Sequence, residues 1–348
     1  MIKYLGSKRL LMPHITDIVA KVAPQGGAVT DLFSGTSRVG HALKRAGYRV
    51  TSNDHNAYAA TLARCYVEAD AQDHAVSAQK LVAELNRLPG KPGYFTETFC
   101  ERSRFFHPKN GARVDQIRDR IAALGLDPEL EAVMLTALVE AADRVDSTVG
   151  LQMAYLKQWA ARAHSDLELR VPELLPRAAG GKGRALHADA LEAAQAVSGD
   201  LCYLDPPYNQ HKYLGNYHIW ETLTLWDKPE VYGVACKRVD CQTRSSPFNS
   251  KPRAVAALGA ALAAAAAGHR HLLVSFNNEG FVSAQEIETM LQGLRKHTRS
   301  ISVDFKRHVG AQIGVYNPSG EKVGEAGPRK NVEHLFFATD DDQAASRL

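Results

Sequence analysis

The sequence has few cysteines and no pair of them at the spacing of a metal site. Its 348 residues include five, Cys65, Cys100, Cys202, Cys236 and Cys241, which are odd in number, scattered and without a C-x-x-C pair. We therefore expect neither a disulfide framework nor a zinc site, and no other metal. This cysteine usage is typical of a reducing compartment, so a cytoplasmic location is expected.

Long hydrophobic runs are also missing. The longest apolar stretch, residues 254–268, is mostly alanine and too short to span a bilayer. Its composition predicts a helix with small side chains that allow close packing. The N-terminus lacks the apolar core of a signal peptide. We expect no association with a membrane.

The net charge is small, at +4 from 42 Lys and Arg against 38 Asp and Glu. Hydrophobic residues at 45% and charged residues at 23% exclude a mostly disordered or fibrous chain. The positive charge is concentrated, since residues 87–120 contain eight Lys or Arg and four Asp or Glu, and residues 237–253 and 295–307 each carry +4. Such basic segments beside a neutral or acidic body are typical of an enzyme that binds DNA and releases it.

The clearest early pattern covers residues 28–54. A strand is predicted over 28–33, a loop containing Gly35, a helix over 37–46 and a second strand over 48–53 that ends at Asp54. Asp54 follows Gly35 by 19 positions, where a doubly wound fold places an acceptor for ribose hydroxyls. The loop has no G-x-G-x-x-G signature, so it fits a ligand without phosphates. The alternative is an ordinary strand–helix turn with a surface aspartate.

The chain between residues 84 and 183 differs in composition, with prolines, glycines and aromatic residues among basic ones. Helices are predicted over 113–124 and 129–145, so this part is expected to be an inserted, mainly helical domain. Strands resume over 184–187, 201–204, 271–276, 300–305 and 332–337. The predicted fold is therefore an α/β domain formed by residues 1–83 and 184–338, with a solvated acidic tail over 339–348.

The most informative motif is Asp205-Pro206-Pro207-Tyr208, directly after the strand at 201–204. Ligands of open α/β sheets bind at the carboxyl edge, where this motif would lie. The two prolines stiffen the backbone and remove N–H donors, so the motif presents acceptors. Hydrogen-bond acceptors beside the face of a tyrosine ring suit a heteroaromatic ligand that carries an amino group. The alternative interpretation of the motif is a structural turn in which the aspartate has no function.

The sequence resembles the Dam-like, alpha-group N6-adenine-specific DNA methyltransferases, and more closely the modification enzymes of restriction systems than the housekeeping methylases. The ordered matches are residues 3–8 (KYLGSK), 31–36 (DLFSGT), Asp54, Asp189, 205–208 (DPPY), 216–222 (NYHIWET) and 275–280 (SFNNEG). The resemblance implies a Rossmann-like methyltransferase sheet, S-adenosylmethionine as cofactor and methyl transfer to the N6 amino group of an adenine flipped out of double-stranded DNA. A cognate restriction endonuclease acting separately is a further expectation.

The resemblance also implies roles for individual residues. Asp205, Pro206 and Tyr208 would be catalytic, with Asp205 and the Pro206 carbonyl holding the amino group and Tyr208 stacking on the base. The cofactor would be held by eight residues: Tyr4, Lys8, Asp31, Phe33, Gly35, Asp54, Asp189 and Asp205. Among these, Lys8 would face the carboxylate of the cofactor's methionine part, and Asp189 would accept from its adenine amino group.

DNA contacts are expected from the basic segments, because the family places its recognition domain between the cofactor motifs and DPPY. The candidates are Arg102, Arg104, Lys109 and Arg113 in the insertion, and Lys237, Arg238, Arg244, Lys251 and Arg253 in a second cluster. A solvated charged face is the alternative for each. Cytosine N4, RNA or a protein amide stay open as acceptors, although Asp before Pro-Pro-Tyr favours adenine. A DNA-binding specificity subunit with a silent cofactor fold is the remaining alternative.

Overall fold

The computed structural model describes residues 1–6, 8–306, 315–316, 322–324 and 330–348. The strands in this part of the chain are β1 (Ala28–Asp31), β2 (Arg49–Asn53), β3 (Arg184–Leu186), β4 (Gly199–Leu204), β5 (Val231–Tyr232), β6 (Lys237–Arg238), β7 (His269–Asn277), β8 (His297–Lys306), β9 (Val315–Tyr316), β10 (Lys322–Gly324) and β11 (Lys330–Thr339). The helices are α1 (Met12–Val22), α2 (Arg38–Arg45), α3 (Ala57–Ala63), α4 (Ala71–Asn86), α5 (Tyr94–Thr96), α6 (Pro108–Ala123), α7 (Pro128–Arg144), α8 (Ala190–Ala196), α9 (Tyr213–Asn216), α10 (His218–Leu225), α11 (Lys251–Gly268), α12 (Ala284–Gln292) and α13 (Asp342–Ser346).

Seven strands form one sheet in the order β3-β2-β1-β4-β7-β11-β8. The pairs from β3 to β7 are parallel, and β11 runs antiparallel to both β7 and β8. Helices connect the parallel strands, as right-handed crossovers require. The predicted α/β, Rossmann-like methyltransferase fold is therefore confirmed.

Both faces of the sheet are buried, which explains why the middle of the central strands β4 and β7 is a continuous apolar run rather than an alternating one. In β4, Leu201 and Tyr203 belong to the core beneath α1 and α2. Cys202 and Leu204 point to the opposite core, formed with α8, α11 and α12. The alanine-rich segment forms α11, and its small side chains pack closely against the alanines of α8.

Residues 84–183 pack on the sheet domain through a third hydrophobic core. This core joins α3 and the π-helical turn Arg64–Glu68 to α6, α7 and α10. Helices α6 and α7 begin with proline, which fits the first helical turn because its missing N–H is not needed there. The helix α4 crosses the boundary expected between residues 83 and 84.

The end of the chain differs from the expected solvated tail. Thr339 is the last residue of β11, and α13 follows it with Ala344 and Ala345 buried. Asp341, one of the aspartates in the acidic run, is the N-cap of this helix and accepts from the Gln343 and Ala344 amides. No helix in the described ranges is long and apolar enough to cross a membrane.

Candidate active site

The carboxyl ends of β1, β2 and β4 meet at one cavity. The strand order of the sheet reverses between β1 and β4, and a crevice for ligands opens at such a point in α/β sheets. All the residues predicted to bind a cofactor line this cavity: Tyr4, Lys8, Asp31, Phe33, Gly35, Asp54, Asp189 and Asp205. The fold thus brings together segments that are up to 201 positions apart in the sequence, from Tyr4 to Asp205.

Gly35 has two physical reasons to be glycine. Its φ of +50° lies in the left-handed region, which L side chains rarely adopt. A Cβ at this position would also lie 3.2 Å from the ring of Tyr4. Its amide donates to Asp54 Oδ2 at 3.0 Å, so the loop after β1 is tied to the end of β2.

Tyr4 lies in a stack of aromatic rings that includes residues without a predicted role. Its ring is parallel to that of Tyr217 at a centroid distance of 4.6 Å and to that of Tyr213 at 5.4 Å. The Tyr4 hydroxyl is 3.2 Å from that of Tyr58. The Tyr217 hydroxyl oxygen accepts from the Leu5 amide at 2.6 Å, which ties the stack to the N-terminal segment. The signal that could have found Tyr217 is its place in the 216–222 motif.

Asp54 and Asp189 differ in their surroundings. The Asp54 carboxylate accepts from the Gly35 amide and from the Asn56 amide at 2.9 Å, and burial raises its pKa. Asp189 is exposed and caps α8 by accepting from the Leu191 amide at 2.8 Å. Both carboxylates keep further acceptor capacity toward a ligand in the cavity.

Asp31 is buried at the end of β1 with one oxygen unpartnered. Its Oδ2 accepts from the Gly40 amide at 3.2 Å, whereas Oδ1 has no hydrogen-bond partner among the residues that the structure describes. Burial and the nearby Asp205 raise the pKa of Asp31 to about 8. Near neutral pH the side chain therefore holds a proton, which makes it a donor as well as an acceptor.

Asp205 is held at the end of β4 by a buried ammonium group. Lys8 Nζ lies 3.1 Å from Asp205 Oδ1 and 3.0 Å from Glu333 Oε2. Burial raises the pKa of Asp205 to about 6, although Lys8 opposes the rise. Burial disfavours the charged form of Lys8, yet Asp205 and Glu333 together keep its pKa above the ordinary value. Lys8 is therefore charged at neutral pH.

The surroundings of Lys8 include a residue that sequence reasoning missed. Lys8 is expected to face the carboxylate of a bound cofactor, and it lines the cavity while its ammonium group also pairs with two carboxylates of the chain itself. Glu333 comes from β11, 325 positions away. No local motif marks it, because its place at the site depends on strand pairing across the sheet.

The other two predicted catalytic residues lie beside Asp205. Tyr208 contacts Phe276 edge-on at a centroid distance of 5.9 Å, and Lys8 Nζ lies 6.0 Å from the Tyr208 ring centroid. The Tyr208 carbonyl accepts from the Phe281 amide at 2.8 Å. Pro206 and Tyr208 are not among the residues that line the cavity, whereas Pro207 is.

Two of the residues expected to contact DNA are engaged within the chain. Arg238 is buried and forms ion pairs with Asp227 at 2.7 Å and Asp240 at 3.0 Å. Arg113 donates to the carbonyls of Leu88 and Asn86, at the end of α4. In both residues the two terminal guanidinium nitrogens donate within the chain, which the charge pattern of the sequence does not indicate.

The remaining basic candidates are closer to solvent. Arg102, Lys251 and Arg253 are exposed, and Lys237 is half-buried. Arg104 donates to the Lys157 carbonyl and lies over the Trp159 ring at 4.9 Å, and exposed Lys109 pairs with Asp166 at 2.7 Å. Arg244 lines the cavity and pairs with buried Glu221 at 2.8 Å. Surface pairs such as Lys109–Asp166 are weak enough to exchange for a phosphate.

Residues 4–290 match the family described as D12 class N6 adenine-specific DNA methyltransferase. The chain belongs to this family. The match includes every segment that lines the cavity and ends before β11, so Glu333 lies outside it.

The similar proteins in this methyltransferase family are named as enzymes of DNA modification. Type II methyltransferase M.FokI of Planomicrobium okeanokoites is 30% identical over 88% of this chain and 49% of its own length. Type II methyltransferase M.NlaIII of Neisseria lactamica is 29% identical over 87% of this chain and 91% of its own length. Modification methylase StsI of Streptococcus sanguinis is 28% identical over 83% of this chain and 46% of its own length. The chain therefore spans about half the length of two of these relatives.

Proposed function

We propose that this chain transfers a methyl group from S-adenosylmethionine to the N6 amino group of adenine in double-stranded DNA. The observation that carries the proposal is the half-buried Asp205, which follows β4 at the edge of the cavity and is paired with buried Lys8. Family membership supports adenine as the acceptor and DNA as the substrate. The chain would act as the modification enzyme of a restriction system, as the names of its relatives suggest.

The residues of the cavity fit S-adenosylmethionine. Gly35 leaves room where a Cβ would press against the Tyr4 ring, and half-buried Asp54 would present a carboxylate to ribose hydroxyls. The unpartnered Oδ1 of Asp31 is a buried polar atom that a ligand can satisfy. Asp189 would accept from the adenine amino group and Phe33 would contact the ring. When bound, the cofactor supplies a methyl group on a sulfonium centre.

Asp205 and the Pro206 carbonyl would accept hydrogen bonds from the two N6 hydrogens of the target adenine. In free adenine the lone pair of this nitrogen is delocalised into the ring, which makes the amino group a poor nucleophile. Two acceptors favour a more tetrahedral nitrogen, whose lone pair would form the new N–C bond. The S–CH₃ bond of the cofactor would break in the same step, with its electron pair kept on sulfur, so that S-adenosylhomocysteine is the leaving group. The nitrogen becomes positively charged and regains neutrality by losing a proton to water, so no strong general base is needed.

The target base would have to leave the duplex to reach Asp205. Flipping costs a few kcal/mol, which stacking and pocket hydrogen bonds offset. Tyr208, held edge-on by Phe276 beside Lys8, would provide the stacking face. Stacking of one base on an aromatic side chain contributes about 1–3 kcal/mol.

Residues 84–183 would form the target-recognition domain, with Arg102, Arg104 and Lys109 against the DNA. Lys237 and Arg244 would approach the strand near the cavity. We infer a cytoplasmic enzyme that works beside a separate endonuclease, because a modification methylase protects DNA that the endonuclease would cut. The five buried free cysteines agree with a reducing compartment.

A methylation assay tests this proposal. Purified chain, labelled S-adenosylmethionine and unmethylated DNA should yield N6-methyladenine, identified by mass spectrometry of the hydrolysed nucleosides. Asp205→Ala should lower the rate at least about a hundredfold, as loss of a preorganised charge partner does, with DNA affinity within about twofold because phosphate contacts lie elsewhere. N4-methylcytosine as the product, or full activity in Asp205→Ala, would overturn it.

A further inference from the structure

The strand β11 brings a second carboxylate to the ammonium group that holds Asp205. Lys8 Nζ lies between Asp205 Oδ1 at 3.1 Å and Glu333 Oε2 at 3.0 Å, and Lys8 and Glu333 are both buried. One cation and two anions leave this group of three residues, which we call the Lys8 cluster, with a charge of −1. Burying a net charge in a protein costs free energy, so a buried cluster with a charge of −1 suggests a function for that charge.

Glu333 is fixed by more than its contact with Lys8. It pairs with Asn277 in the antiparallel register of β11 and β7, and Asn277 Nδ2 donates to Glu333 Oε1 at 2.9 Å. Asn277 Oδ1 in turn accepts from the Glu279 amide at 2.9 Å. Because β11 runs opposite to its neighbours, its first residues lie at the edge where the parallel strands end. The motif at 275–280 thus orients Glu333 toward the site.

Other ionisable groups near Asp205 are neutral around pH 7. Burial raises the pKa of Asp31 to about 8, so its carboxyl group is protonated. Burial also raises the pKa values of Tyr203, Tyr208 and Tyr213 above their ordinary values. Lys8 and Glu333 are the charged side chains that face Asp205 from the neighbouring elements in the described part of the chain.

We propose that Glu333 is a positioning residue for methyl transfer, which holds Lys8 against Asp205 and keeps the Lys8 cluster negative where positive charge develops on the substrate nitrogen. This inference rests on the proposed function. If Asp205 and Lys8 stood alone, their charges would cancel and the site would attract the developing cation less. Glu333 restores the negative charge without touching the base or the cofactor.

Glu333→Gln tests the proposal because it removes the charge and keeps the shape. The turnover rate should fall about tenfold or more, while the KM for S-adenosylmethionine and the affinity for DNA change less than about twofold. Glu333 raises the pKa of Asp205, so the acidic limb of the rate profile should move to lower pH in the variant. Glu288→Gln, which removes a charge from α12 away from the cluster, is the matched control and should behave as the wild type.

A second readout needs neither cofactor nor turnover. The carboxyl carbon of Asp205, labelled with ¹³C and assigned by its loss in Asp205→Asn, reports the pKa of this side chain in the ligand-free protein by NMR titration. Glu333→Gln should lower that pKa, and Glu333→Asp, which keeps the charge, should leave it closer to the wild-type value and recover part of the rate. If Glu333→Gln does not fold, Glu333→Asp alone carries the test.

Two results would overturn the role of Glu333: an unchanged rate in the folded variant, or an Asp205 pKa that stays the same or rises. A lower affinity for S-adenosylmethionine with an unchanged turnover rate would also contradict it. If the wild-type chain methylates cytosine or no DNA at all, the proposed function fails. The Asp205 titration still decides whether Glu333 sets the charge of the cluster, so the two failures are distinguishable.

Discussion

Single carboxyl groups at this site differ in charge because their surroundings differ. Asp31 is the last residue of β1, and Asp205 directly follows β4. Of these two, only Asp205 has an ammonium partner. Lys8 therefore favours the ionised form of Asp205. Burial and the neighbouring negative charge of Asp205 favour the protonated form of Asp31. Two similar side chains thereby become an anionic acceptor and a neutral donor within one cavity.

The protonated state of Asp31 predicts how stability changes with pH. Its pKa is about 8 in the folded chain and near its ordinary value of about 3.9 when unfolded, so the folded state binds the extra proton between these values. Folded-state stability from this group is then lost as pH rises through that window. Asp31→Asn should show a smaller fall in Tm between about pH 5 and pH 8 than the wild type.

Calorimetry over that range checks this prediction about Asp31. Asp17→Asn is the control, because Asp17 is an exposed aspartate on α1 whose loss should leave the wild-type pH dependence unchanged. A Tm that falls equally steeply in Asp31→Asn and the wild type would show that Asp31 is ionised in the folded protein.

At the scale of elements, the loop after β1 is the part of the site whose backbone is most constrained. Gly35→Ala should cost about 1–2 kcal/mol of folding free energy, because alanine at a φ of +50° is strained. The added Cβ would also push against Tyr4, so affinity for S-adenosylmethionine should fall. Denaturant unfolding and isothermal titration calorimetry measure the two effects.

Gly125→Ala is a matched control for Gly35→Ala. Gly125 has a φ of +57°, but a Cβ there would meet nothing within 4 Å. The control should lose a similar amount of stability and keep its affinity for the cofactor. Equal affinity in both variants would contradict the role given to the loop.

Sequence reasoning succeeded for elements whose chemistry is local. Strands were predicted over 28–33, 48–53 and 201–204, and the structure has them end at Asp31, Asn53 and Leu204, so the first is two residues shorter than predicted at its end. Glu333 could not be predicted in this way, since its position depends on the pairing of β11 with β7. Tyr213 was missed because an aromatic stack joins residues that are distant in the chain.

At the scale of the whole molecule, basic residues separate into those that hold the fold and those at exposed positions, which we propose contact DNA. Arg238→Ala should lower the free energy of unfolding by about 1–2 kcal/mol, because it removes a buried side chain that pairs with the partly exposed Asp227 and Asp240. Arg102→Ala, at an exposed position, should leave stability within about 0.5 kcal/mol.

The affinity for DNA should depend on Arg102, although the stability of the fold should not. Arg102→Ala should weaken binding and reduce the slope of log K against log[salt] by about 1, as loss of one phosphate contact does. Urea unfolding and fluorescence anisotropy at several salt concentrations measure the two effects. An unchanged slope in Arg102→Ala would remove Arg102 from the DNA interface.

The central claim is that this chain methylates adenine N6 at a specific DNA sequence through Asp205. Its most direct test is expression in a host that lacks DNA methylation, followed by single-molecule sequencing of the genomic DNA. The account predicts N6-methyladenine at one recurring sequence motif with the wild-type chain and none with Asp205→Ala. Modified cytosine, methylation without a motif, or the same pattern with Asp205→Ala would contradict it.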